Sequence, residues 1–141
     1  MKHVRSLDSL KRAILETLAY SDVFDYPLRL EELHRYLTIP AAPADLPPAW
    51  AGLSGRVDSL DGFYFLAGRG EIVRIRKERE ARARPLLVSA LRYGRVLGSL
   101  PFVRMVALTG SLATLNVSKN ADFDYMLVTA RGHVWTARAF L

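Results

Sequence analysis

The stretch "LTGSLATLNVSKNADFDYML", residues 108–127, decides how the second half of the chain is read. Asp122 and Asp124 stand one residue apart at the head of "DFDYMLVT", a run with the apolar content of a buried strand. Upstream, "FVRMVALTG" (102–110) reads as another strand with few polar interruptions, the pattern of a sheet covered on both faces. Between them "SLATLNV" allows a short helix and "SKNA" a turn. Side chains alternate across a strand, so both aspartates are expected on one face, with Phe123 and Tyr125 packed on a helix behind. Two carboxylates so close repel, and each is more stable protonated or bound to a cation. Oxygen ligands suit Mg2+, which takes one or two carboxylates plus substrate phosphates and keeps several waters. Gly110-Ser111 falls at the strand-to-helix turn, where glycine lets the backbone come close to a ligand. The amides and dipole of the following helix, with the Ser111 hydroxyl, are expected to hold an anion. One edge would then grip phosphate and the other a metal bridging to phosphate, the arrangement that phosphoryl and nucleotidyl transfer require. Taken singly, each piece has a plainer explanation: a Gly-Ser pair is a turn with an N-cap, and Asp-x-Asp is common in turns.

Moving outward, residues 77–99 read as a basic helix that turns amphipathic through Leu86, Leu87, Ala90, Leu91 and Leu97. Pro85 should kink or divide it. Runs 62–67 and 71–76, rich in aromatic and β-branched residues, flank Gly68-Arg69-Gly70 and predict a hairpin. Before it, helical spacing marks residues 7–20, capped by Ser6 or Asp8, and residues 28–37 after Pro27. A third helix is expected over 48–60, weakened by Gly52 and Gly55 and preceded by the proline-rich loop "TIPAAPADLPP". Three helices and a hairpin over residues 7–76 resemble a winged helix-turn-helix domain.

The chain has 141 residues, half of them hydrophobic and 24% charged, a globular composition. No apolar run approaches the roughly 18 residues that span a bilayer. The charged N-terminus lacks a signal-peptide core, so a cytoplasmic protein without membrane contact is expected. There is no cysteine, which excludes disulfides and thiolate metal sites. The net charge of +6 is uneven: residues 1–61 balance at −2, 62–100 at +6 and 101–141 at +2. Arg69, Arg74, Arg76, Lys77, Arg79, Arg82 and Arg84 form a cationic band. It could hold a nucleic acid, or be a helix face laced by Glu78 and Glu80 paired to Arg82 and Arg84. The three-helix portion is net negative and its third helix carries Arg56 as lone cation. That favours protein contact or scaffolding over DNA reading.

"LTGSLATLNVSKNADFDYMLV" closely resembles the signature of the DNA polymerase beta-like nucleotidyltransferase superfamily. That signature is Gly-Ser at a strand end, roughly ten residues, then Asp-hydrophobic-Asp-hydrophobic. The resemblance covers about residues 100–141. It implies that Gly110 and Ser111 bind the phosphates of a nucleoside triphosphate and that Asp122 and Asp124 ligate Mg2+ and serve catalysis. The implied reaction moves a nucleoside monophosphate from the triphosphate to an acceptor hydroxyl on a nucleic acid, small molecule or protein. Members usually add a third carboxylate from a later strand, and no Asp or Glu follows Asp124 here.

The fold expected is therefore α+β or α/β. It comprises a winged-helix-like module (1–76), a Pro-kinked basic connecting helix (77–99) and the first part of a mixed-sheet nucleotidyltransferase domain (100–141). The final residues, with Val134, Trp135, Ala137 and Phe140, open an amphipathic helix in want of a cover, so a missing C-terminal region or a homo-oligomer is expected. The function expected is Mg2+-dependent nucleotidyl transfer, this chain holding part of the catalytic domain. The alternative is a non-enzymatic winged-helix regulator that binds nucleic acid and carries a nucleotide-sensing or assembly domain. Lys119, as a phosphate contact, and His133, as a proton carrier, are lesser candidates. His3 and His34 have no companion ligands at metal spacing.

Overall fold

A computed structural model of the chain describes residues 7–119 and 122–139. Ser6, His3, the Asn120-Ala121 half of the expected turn and Phe140 lie outside the described residues. The protein is mixed α+β and divides into two compact units, with the boundary between Arg76 and Lys77. No helix among the described residues is long and apolar enough to cross a membrane.

The first unit opens with α1 (Leu7–Asp22), which buries Leu10, Ala13, Ile14, Thr17 and Leu18 along one stripe. Thr17 sits in that stripe because its hydroxyl donates to the Ala13 carbonyl (2.8 Å). β1 (Leu28–Arg29) and α2 (Leu30–Tyr36) follow, so the helix expected from residue 28 begins two residues later. Glu32 fixes that start by accepting the Arg29 amide at 2.8 Å. A 3-10 turn (Pro43–Asp45) leads into α3 (Leu46–Ala51), which inserts Leu46 and Ala49 into the core with Ile14, Leu18, Leu28 and Leu33.

The hairpin differs from expectation. It joins β2 (Val57–Leu60) to β3 (Phe63–Leu66), while residues 71–76 are helix and the third helix stops at Ala51. The cause is Asp61-Gly62, both at positive φ (53° and 78°), the pair a two-residue hairpin loop demands. That turn claims residues 57–60 as a strand. In "EIVRIRK" the buried positions are Ile72, Val73 and Arg76, continuing to Glu80 and Ala83, which is helical spacing and not alternation. The sheet order is β1-β3-β2, all antiparallel.

Arg76 is the tie of this unit. It is 3% exposed, forks onto both Glu32 oxygens (2.9 and 2.7 Å), donates to the Pro27 carbonyl and lies 3.8 Å over the Tyr26 ring. Burial raises the Glu32 carboxyl, but the Arg76 fork and the Arg29 amide outweigh it and hold it below the usual carboxylate range.

α4 (Glu71–Gly98) continues as one helix through Pro85, undivided and six residues longer at its start than expected. Proline deprives the Ala81 carbonyl of its helical donor, and Ala81 is exposed, so water can replace it. In the second unit α4 packs Ala83, Leu86, Leu87 and Ala90 against Leu112, Val117, Phe123 and Tyr125. β4 (Val103–Leu108) and β5 (Tyr125–Thr129) form an antiparallel ladder with a bulge between Val103 and Met105. The sheets are thus antiparallel, as in α+β proteins; the α/β alternative does not hold among the described strands. Nor is this ladder covered on both faces: Met105, Met126 and Val128 are exposed. Its other face meets α4, where a side chain at Gly94 would touch Tyr125 at 3.5 Å and one at Gly98 would touch Val106 at 3.9 Å. The Tyr125 hydroxyl donates to the Ala90 carbonyl at 2.6 Å. α5 (Gly110–Ala113) is a single turn, and α6 (Val134–Arg138) leaves Trp135 76% exposed.

Candidate functional site

Gly110, Ser111 and Asp124 meet at the C-terminal end of β4. The ladder is extended by one bond, from the Thr109 amide to the Asp124 carbonyl (2.8 Å), reinforced by the Thr109 hydroxyl (3.2 Å). This register lays the Asp124 side chain across Gly110. Gly110 has φ +65°, and a Cβ built there would fall on the Asp124 carboxylate, with its Cγ at 3.1 Å and Cβ at 3.2 Å. Glycine is therefore required twice over, for the dihedral and for the space.

β5 begins at Tyr125, so neither aspartate lies inside the strand as expected. The alternation nonetheless runs on upstream: Asp122 and Asp124 are exposed, while Phe123 and Tyr125 are half-buried. Phe123 tilts against Tyr93 of α4 with ring centroids 6.0 Å apart. The packed side anchors the segment and leaves the acids facing solvent. Among the described residues no Lys or Arg forms an ion pair with either aspartate. A carboxylate against a glycine turn, with a second exposed two residues upstream, suits a hard, oxygen-seeking cation such as Mg2+, which fills the rest of its shell with water or phosphate. No group of three or more potential metal-ligating side chains occurs among the described residues.

The serine turn departs from expectation in one respect. α5 has four residues, too few to add a useful dipole, so an anion here would rely on local amides and the Ser111 hydroxyl. The turn is instead stiffened from behind. The Asn116 amide donates to the Ser111 carbonyl (2.8 Å) and the Leu115 amide to the Leu112 carbonyl (3.1 Å), the paired bonds of a Schellman ending. The position that usually takes glycine there is Leu115, at φ +56°. Thr114 adds a hydroxyl bond to the Ser111 carbonyl (3.1 Å). From α4, Arg79 donates to the Asn116 side-chain oxygen (3.0 Å) and Arg82 to the Val117 carbonyl (3.3 Å).

Sequence reasoning missed Thr109, Arg79, Leu115 and Asn116. Their roles depend on a contact 37 residues apart in the chain and on a backbone dihedral, neither of which has a local pattern. The cationic band is also largely absorbed. Arg69 is held by Asp22, Asp25 and Glu71 (2.8, 2.8 and 2.7 Å), Arg76 is buried, and Arg79 and Arg82 brace the loop. Lys119 is exposed. His133 stacks on Phe102 (4.0 Å) at the opposite end of the ladder, away from Gly110, and His34 bonds the Ala41 carbonyl (2.9 Å). Comparison with known protein families, with curated proteins and with solved structures returns no match.

Proposed function

We propose that the second unit carries the nucleotide-binding edge of a DNA polymerase beta-like nucleotidyltransferase and that the first unit, which precedes it in the chain, is of winged-helix type. The observation that carries this reading is the Asp124 carboxylate lying against a glycine that has no room for a side chain. It puts one of the two acids against the Gly-Ser turn, which supports the arrangement the sequence signature implies. Gly110 and Ser111 receive the triphosphate, with the serine hydroxyl as donor. Asp122 and Asp124 would hold Mg2+, which when bound neutralises the charge of the phosphates. In the reaction an acceptor hydroxyl attacks the α-phosphorus, the bond to the β-phosphate oxygen breaks, and pyrophosphate leaves.

The order of three helices and a hairpin, with β1 added to the hairpin, supports the winged-helix reading of the first unit. A nucleic-acid-reading role for it has little support. α3 has the sequence "LPPAWA", with none of the Arg, Lys, Asn or Gln that read base edges, while Asp58 lies on β2 and Asp61 in the hairpin turn. A scaffolding or protein-contact role is the better match.

Titration calorimetry with each ribonucleoside triphosphate, with and without Mg2+, tests the assignment on the wild type and on Asp122→Ala/Asp124→Ala. Metal-dependent binding lost in the double variant is expected. Equal binding by both proteins with no metal dependence would defeat the reading.

A further inference from the structure

We infer that Arg79, acting through Asn116, is a positioning residue that holds the Gly110-Ser111 turn in its phosphate-receiving shape; this rests on the nucleotide-binding reading above. The turn needs such a brace. Leu115 is held at φ +56°, a conformation that crowds the Cβ of any residue other than glycine. An ending of this kind usually gains stability from an apolar contact at the residue that follows. Here that residue is Asn116, and its place is taken by a hydrogen bond to a guanidinium from α4. The chain of contacts is short and continuous. Arg79 fixes the Asn116 side chain (3.0 Å), the Asn116 amide fixes the Ser111 carbonyl (2.8 Å), and Ser111 adjoins the glycine beneath Asp124. Arg82, one helical turn further along α4, secures the next residue through the Val117 carbonyl. Leu112 and Val117, fully buried on either side, keep the loop seated on Ala83 and Ala90 of the same helix. The arginine side chain thus sets the geometry of a turn that opens on two small, exposed residues and closes on a leucine held at positive φ.

The test uses the full chain and two probes, ATP with Mg2+ and inorganic tripolyphosphate with Mg2+, by titration calorimetry. Arg79→Met and Asn116→Ala are each expected to weaken both probes about tenfold, the scale of one hydrogen bond to a charged group. The double variant should lose no more than the worse single one, because both changes cut the same link. Arg79→Lys, which retains a donor, should recover part of the loss. A merely structural role would lower the melting temperature without this pattern, and Asn116→Ala keeps the test open should Arg79→Met fold poorly. Wild-type affinity in both single variants, or additive losses in the double, would overturn the inference. If the wild-type protein binds neither probe, the nucleotide-binding reading itself fails and takes this inference with it.

Discussion

Arg76→Met keeps the length and apolar stem of the side chain and removes its charge and donors. The variant leaves Glu32 with the Arg29 amide (2.8 Å) and a long bond from the Tyr26 hydroxyl (3.4 Å), and the Pro27 carbonyl without its guanidinium partner. Removing one member of a buried pair costs about 3–5 kcal/mol, and the partial exposure of Glu32 (24% for its side chain) places the loss near the lower end, about 3 kcal/mol. A unit of this size holds roughly 4–10 kcal/mol in total. Its melting temperature should therefore fall by roughly 10–25 °C. Trp50 packs edge-on against Tyr64 in this unit, at 4.8 Å between centroids. In a Trp135→Phe background, its fluorescence during urea unfolding reports the first unit alone. The pH dependence supplies a second readout with a definite sign. The folded Glu32 carboxyl lies below its ordinary value, so wild-type stability is present above the unfolded value and is lost as pH falls through the folded one. Without Arg76 burial dominates and lifts that carboxyl, so acidification toward pH 4 should return part of the lost stability. Adding Glu32→Gln to Arg76→Met should recover stability at neutral pH as well, because no unpaired charge remains. A loss under about 1 kcal/mol, or the same acid response in variant and wild type, would refute a buried charge pair as the tie of the first unit.

Gly110→Ala is expected to cost about 1–2 kcal/mol for the dihedral plus the displacement of Asp124, and to abolish triphosphate binding. In an Asp124→Ala background the carboxylate clash is gone and the dihedral cost remains with one tight contact to the residue-124 Cβ (3.2 Å), so the loss should shrink, which thermal melts of the four proteins would measure. Gly62→Ala meets no neighbour within 4 Å, so urea unfolding should show a loss of only about 1–2 kcal/mol, from its φ of +78°. Tyr125→Phe should destabilise the second unit by about 1 kcal/mol by removing the donor to the Ala90 carbonyl. Burial and then the neighbouring Tyr93 raise the Tyr125 phenol above the ordinary tyrosine value. Its contribution is therefore present below the unfolded value and lost as pH rises through the folded one, which absorbance titration of wild type and Tyr125→Phe would follow.

The helical stripe of α1, the apolar character of β4 and β5, and the exposed facing of both acids were legible along the chain. Each depends on residues a few positions apart, and the alternation from Asp122 to Tyr125 carried the facing of both acids even though the strand starts after them. The misreadings have physical reasons. Asp61-Gly62 turned the hairpin earlier than Gly68-Arg69-Gly70, because positive φ at both loop residues outweighed the glycine count of the later segment. Once β2 and β3 had paired, "EIVRIRK" was free to follow its helical period into α4. Arg76 looked like one member of a solvated cationic band, and only the arrival of Glu32, 44 residues away, made it a buried tie. The same holds for Arg79 and Asn116. Sequence alone determined where the carboxylates, the glycine turn and the cationic side chains fall along the chain; tertiary contact decided which arginines are buried, which brace a turn, and that Asp124 rests on Gly110. The division follows from range: propensity and periodicity act over a turn or two of chain, whereas the partner of a charge is chosen by packing between distant segments.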